Sequence, residues 1–423
     1  MITGRSYTRY PMVKLRFKGL FVVLGKTGIL ILFFLVTERI VAQPHALKIL
    51  TMDEAVKSAL ANNPNVRNAE LKVQLANAQK LSIVVFGNTE INYKYGQLYS
   101  TANDNYFEFV QNFGSLVTSL RKGNYVKEII KVSEYEQRLS IKKLTVEVKS
   151  AYMNLVYHRN RLKILRDEAK LYTDFIRNVG LYYGLGETNL LDKTMAETQY
   201  ADMQNQQFQA EQDYQIAINQ LQQIVYTNDN LLPTDSIFEM YSIEFKRVGP
   251  DKFFPLGHLS YYEGIYLVRQ SELQIERSKF FPEIHAGYFT HEIDKVKGFN
   301  GFKVGVSFPL WFLPQKAKTK EALINRDIAQ NELEYQKFTM NKTIESLKLQ
   351  LDKLYVQISY FRENALNQAD LMIKTALTKF TRQEIEYLEY LQSLSGARKI
   401  KLDYLDAIRQ YNLAAIQLEY YIN

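Results

Sequence analysis

Between Ile141 and Tyr183 apolar side chains recur at alternating intervals of three and four residues, through Leu144, Val148, Ala151, Leu155, His158, Leu162, Leu165, Ala169, Tyr172, Ile176 and Val179. Six heptads of this kind bury their stripe only if the segment is one long helix lying against another. A second seam, Ile344, Leu347, Leu351, Leu354, Ile358, Phe361 and Ala365, loses clarity at Gln368. Proline is absent between Pro64 and Pro233 and again after Pro314, so both regions lack the strongest helix breaker. Long helices are expected over about 119–183 and 315–381, the first on the order of 90 Å long at 1.5 Å per residue.

Each long helix should reverse. In the segment GLYYGLGETNLLD (180–192) Gly180, Gly184 and Gly186 mark a turn, and Thr188 or Asn189 can cap a return helix over about 188–225. Ahead of each seam the pattern changes to period two. TEINYKY (89–95) sets Ile91, Tyr93 and Tyr95 against Glu90, Asn92 and Lys94, and the polar STANDN leads to YFEFV, which reads as a β-hairpin over about 88–112. Its counterpart over about 281–311 is PEIHAGYFT, a turn DKVKGFNG, and FKVGVSFPLW.

These elements form a duplication. VQNF (110–113) aligns with SFPL (307–310) at an offset of 197, as does YGLGETNLLD (183–192) with FTRQEIEYLE (380–389). The fold class expected is mainly α with a small β part, a helix, β-hairpin, long helix and helix, twice over. The first repeat spans 43–225 and the second 258–423, whose return helix covers about 385–421. A connector at 226–257 is rich in Pro, Asp and Phe.

Residues 1–42 hold seven Lys/Arg and one acid, and within them a basic start leads into the apolar run GILILFFLV (28–36). Nine apolar residues are too few for a spanning helix, so the segment reads as a secretory signal with cleavage after Ala42. The remaining 46 basic and 44 acidic residues leave a net charge of only +2, no basis for binding nucleic acid. Cysteine is absent, which removes disulfides, thiolate metal sites and Cys nucleophiles. No nucleophile elbow, phosphate loop or HExxH is present. No catalytic, cofactor or metal site is expected, and the chain does not read as an enzyme.

A lone hairpin pair cannot span lipid, because its open edges leave backbone groups unpaired. Four strands per chain become viable when several chains close one barrel. Oligomerisation follows from this; its order does not. A soluble periplasmic coiled-coil or adaptor protein is the rival reading, although no lipoyl-like β domain is evident.

From LTMDEAVKSALANNPNVRNAE (50–70) through EVKSAYMNL (147–155), YYGLGETNLLDKTMAETQY (182–200) and VSFPLW (306–311) to LDYLDAIRQYNLAAIQLEY (402–420), the chain resembles the TolC-type outer-membrane efflux proteins. The resemblance implies a homotrimer in the outer membrane of a Gram-negative bacterium. Its twelve-stranded transmembrane barrel, four strands per chain, would continue into a periplasmic α-helical barrel. It further implies an efflux duct working with a periplasmic adaptor (membrane fusion protein) and an inner-membrane pump of the resistance–nodulation–division type. The YLEYLQSL tail looks most like the branch serving cation and heavy-metal efflux; drugs or secreted proteins are the alternative cargo.

By position, the resemblance makes Asp192 and Glu389 the acidic gate, with Glu386 one turn nearer the tip. Tyr183, Gly184, Leu185, Gly186, Glu187 and Thr188 of the first turn, and Gln383, Glu384 and Ile385 of the second, become the adaptor-contacting tip. Rings of carboxylates at a constriction attract cations and repel anions. Glu386 reads equally as an ordinary solvated residue. Gln383 replaces the glycine expected from Gly186, which leaves the second turn open to a tighter or different cap. His158, the polar residue of the first seam, reads as a hydrogen-bonded interface histidine, not as a proton or metal site.

Overall fold

The computed structural model describes residues 47–83, 86–235, 238–242, 256–382 and 384–422. The expected signal (1–42), Gln383, and residues 236–237 and 243–255 of the expected connector lie outside them.

Helices α1 (Met52–Asn62) and α2 (Pro64–Ala78) start the first half. Thr51 and Glu54 close a reciprocal capping box on α1, and Asn63 caps α2, whose first residue is proline. Strands β2 (Thr89–Gly96) and β3 (Asp104–Gly114) follow, then α3 (Leu116–Gly184) and α4 (Leu190–Val225). The second half repeats this order with α5 (Leu256–Ser278), β5 (Glu283–Ile293), β6 (Val296–Ser307), α6 (Phe312–Tyr360), a π-helical turn (Phe361–Ala365), α7 (Leu366–Thr381) and α8 (Tyr387–Ile422). One helix, α5, stands where the first half has two. Between the halves β4 (Asn230–Pro233) pairs in parallel with β1 (Leu47–Leu50), a contact for which the sequence gives no periodic signal.

Of the first seam, Leu144, Val148, Ala151, Leu155, Leu162, Leu165, Ala169, Tyr172 and Val179 are buried. Helix α4 meets α3 with Ala196, Met203, Ala210 and Ala217, a strict seven-residue repeat of mostly small side chains. Small residues bring two helices close and let the larger knobs of α3 enter between them. The second seam is buried at Ile344, Leu351, Leu354, Ile358, Phe361 and Ala365 and then continues at Ala369 and Ala376. Exposed Gln368 is skipped because the π-helical turn inserts one residue and shifts the buried face by one position.

Strands β2, β3, β5 and β6 form one antiparallel sheet in that order, so β2 and β6 are its free edges. Period two and the strand register put Ile91, Tyr93, Phe107, Phe109, Tyr288, Phe302, Val304 and Val306 on one face. Phe302 is 86% exposed and Val304 77%. The opposite face carries Asn92, Lys94, Tyr106, Glu108, His291 and Lys303, with Glu108 and Lys303 paired at 3.0 Å. There the glycines are packing sites: a side chain at Gly301 or Gly305 would enter the ring of Phe289 or His285. The second hairpin is tighter than DKVKGFNG suggests. Only Asp294 and Lys295 turn, both at positive φ, and 296–301 continue as strand.

Candidate functional site

The first turn closes through two backbone bonds, Glu187 N–H to the Tyr182 carbonyl at 2.9 Å and Gly186 N–H to that of Tyr183 at 3.1 Å. This double closure requires a left-handed residue, and Gly186 supplies it at φ 76°. In the second turn Glu384 N–H donates to the Lys379 carbonyl at 2.9 Å, the same six-residue closure. The loss of glycine at 383 therefore leaves that bond in place.

Asn189 caps α4, its side-chain oxygen accepting from Asp192 N–H at 2.8 Å, and the Thr188 hydroxyl donates to the Asp192 carboxylate at 3.1 Å. Asp192 is the third residue of α4 and Glu389 the third of α8, so both sit in the first turn of a return helix, where the helix dipole favours a carboxylate. Glu386 and Glu389 are exposed. Their carbonyls accept from Tyr390 N–H at 3.2 Å and from the Ser393 hydroxyl at 2.8 Å. Tyr183, Gly184, Leu185, Gly186, Glu187 and Glu384 are exposed, and Thr188 and Ile385 half-buried. Lys193 lies 4.7 Å from the Tyr183 ring, and Arg382 lies 3.8 Å from Glu384.

Aromatic packing joins the two turns. Phe175 of α3 stacks on Tyr387 of α8 at 5.3 Å, and Phe380 of α7 stacks on Tyr390 at 4.7 Å. One turn's Glu187 and Thr188 and the other's Ile385 line a single cavity with these rings. Burial first, then the Asp192 charge, raises the Tyr387 hydroxyl above the usual tyrosine range, so the acid of the first turn acts across the gap on the second.

Further from the turns, buried Glu168 of α3 lies 3.3 Å from Arg398 of α8, linking the two halves. Burial pushes the Glu168 carboxyl up to about 7, against the opposing pull of Arg398 and Lys401. Glu168 Oε1 is buried without a hydrogen bond, so the contact is an ion pair of imperfect geometry. A second link is Lys149 to Glu419 at 2.9 Å, with the Tyr241 hydroxyl accepting from Lys149 and donating to Glu419. Sequence reading missed Glu168. Its signal is an acid between Leu165 and Tyr172 on the buried side of α3.

His158 departs from expectation. Its Nδ1 is buried without a hydrogen bond, the ring packs edge-on against Tyr157 at 4.9 Å, and burial lowers its pKa. A neutral ring wedged by packing accounts for its place in an apolar seam. His285 and His291, six residues apart on β5, go to different neighbours: His285 to Gly305, and His291 to the rings of Tyr99 and Tyr106. Among the described residues no three His, Cys, Asp or Glu side chains gather as a metal site, and no helix is long and apolar enough to cross a membrane.

No family model and no curated protein sequence matches the chain. Solved structures do. A structure of CusC, described as forming a transmembrane channel, is 17% identical with a TM-score of 0.75, over 88% of this chain and 92% of that one. The Campylobacter jejuni CmeC outer membrane channel is 14% identical with a TM-score of 0.75, over 88% and 85%. The Neisseria gonorrhoeae MtrE outer membrane channel, in its open state, is 13% identical with a TM-score of 0.71, over 88% of each chain. At these identities the likeness is one of fold: the chain folds as the TolC-like outer-membrane channel proteins do.

Proposed function

We propose that the chain is one protomer of a homotrimeric outer-membrane exit duct, a passive conduit of a tripartite efflux system. The observation that carries this reading is the sheet β2-β3-β5-β6. One face is apolar and exposed, the other polar or glycine-rich, and both edges are open. A membrane-spanning strand needs lipid on one side, a polar lumen on the other and no free edge, which three four-stranded sheets closed into one barrel provide. The long helices would continue the duct into the periplasm, where the paired turns meet an adaptor and, through it, an inner-membrane pump of the resistance–nodulation–division type that supplies the energy. Asp192 and Glu389, with Glu386 nearer the tip, would form acidic rings that gate it.

Outer-membrane fractions are expected to yield a heat-resistant trimer that conducts ions in planar bilayers. Recovery as a soluble periplasmic monomer would overturn the reading. Cations, heavy-metal ions among them, are the proposed cargo, supported by the tail resemblance and the acidic turns. Deleting the gene should then sensitise cells to zinc, copper or cobalt. Sensitivity confined to a drug panel, or loss of a secreted protein, would reassign the cargo.

The sheet gives a further expectation. Val304→Arg places a charge on the proposed lipid face and should destabilise the barrel by roughly 2–4 kcal/mol if mid-membrane. Asn92→Arg on the opposite face should be far milder. Equal losses in bilayer-reconstituted unfolding titrations would reverse the assignment of faces.

A further inference from the structure

We propose that the cavity between α3, α7 and α8, just inside the two turns, binds an organic monocation of the quaternary ammonium type. It measures about 650 Å³, within the range of small-molecule sites. Its walls include the stacked pairs Phe175 with Tyr387 and Phe380 with Tyr390. Faces of such rings attract a cation that sheds its water easily, and an alkylated ammonium does so where a metal ion does not.

Two further observations set the sign of the charge. Asp174 and Glu187 are lining residues, and among the described lining residues there is no lysine or arginine. Asp174 lies 3.7 Å from Arg177 and both side chains are largely in solvent, so water and that partner weaken the Asp174 field, and its pull on a cation is modest. The Asp174 field adds to burial in raising the neighbouring Tyr390 hydroxyl. An anion would meet two carboxylates with only neutral donors, such as Asn178 and Tyr182, to offset them. A neutral hydrocarbon would leave the acids unused.

The site goes beyond conduction and belongs to a single chain, so it does not depend on a trimer or a cargo. Because one wall comes from the first half and the others from the second, an occupant would tie the halves together and raise the melting temperature with concentration.

The test is calorimetric titration of the purified full chain with choline, with the neutral isostere in which carbon replaces nitrogen, and with benzyltrimethylammonium. Choline is expected to bind at least about tenfold more tightly than the isostere, a difference of ~1.4 kcal/mol. Benzyltrimethylammonium should exceed choline. Asp174→Asn combined with Glu187→Gln, both at exposed positions, should remove most of the preference for charge. Phe380→Leu should weaken both cations. If Phe380→Leu fails to fold, the double variant decides alone. Equal binding of choline and isostere, a double variant indistinguishable from the parent, or no choline binding at millimolar concentration would each overturn the proposal.

Discussion

Arg398→Ala is expected to cost up to about 1.4 kcal/mol at about pH 8, one pH unit above the Glu168 value of about 7, because it leaves a buried carboxyl that must take up a proton or stand unpaired. The loss should shrink toward about pH 5. Folded Glu168 titrates near 7, above the ordinary carboxylate value, because burial outweighs Arg398 and Lys401. Between the unfolded and folded values the folded chain holds a proton that the unfolded chain has released, so this group's contribution falls as pH rises through that window. Removing Arg398 raises the folded value further and extends the window upward; below about pH 7 Glu168 is protonated in both folded chains and the penalty of the substitution disappears. Denaturant midpoints of the detergent-solubilised chain at the two pH values check this. The pair Glu168→Gln with Arg398→Met should remove the pH dependence that Glu168 contributes. A loss independent of pH would mean that Arg398 acts instead through its contacts with Met203 and Ser395.

The second large effect concerns conductance. Replacing Asp192 and Glu389 together by alanine should raise resting single-channel conductance several-fold and weaken cation selectivity, if their carboxylates ring the constriction. Asp192→Ala also removes the acceptor of the Thr188 hydroxyl. Asp192→Asn can keep that bond, so a milder opening by Asn than by Ala would separate charge from structure. Unchanged conductance and selectivity in the double alanine variant would put the constriction elsewhere.

What sequence reading could reach depended on periodicity. The three-and-four spacing from Ile141 to Val179 marks a buried stripe because a helix must place such residues on one side. The alternation of Ile91, Tyr93 and Tyr95 marks a strand for the same kind of reason. At Gln368 periodicity fails, since a π-helical turn leaves no compositional mark and shows only as a change of phase toward Ala369. The pairing of β1 with β4 joins four-residue strands far apart in the chain, too short to carry a pattern. At the turns, Gly186 and Asn189 announce a reversal and a cap. That Phe175 would meet Tyr387, and Glu168 meet Arg398, depends on how α3 lies against α7 and α8, a tertiary fact with no local spacing to reveal it.

The π-helical turn also sets the phase of the rod beyond it. In an unbroken α-helix one more residue would swing everything beyond it by about 100° and carry it about 1.5 Å onward. Winding the extra residue into a wider loop of backbone cancels the swing. Phe380 therefore arrives facing Phe175 and Tyr390, so the aromatic junction between the two turns depends on a five-residue irregularity earlier in the same rod.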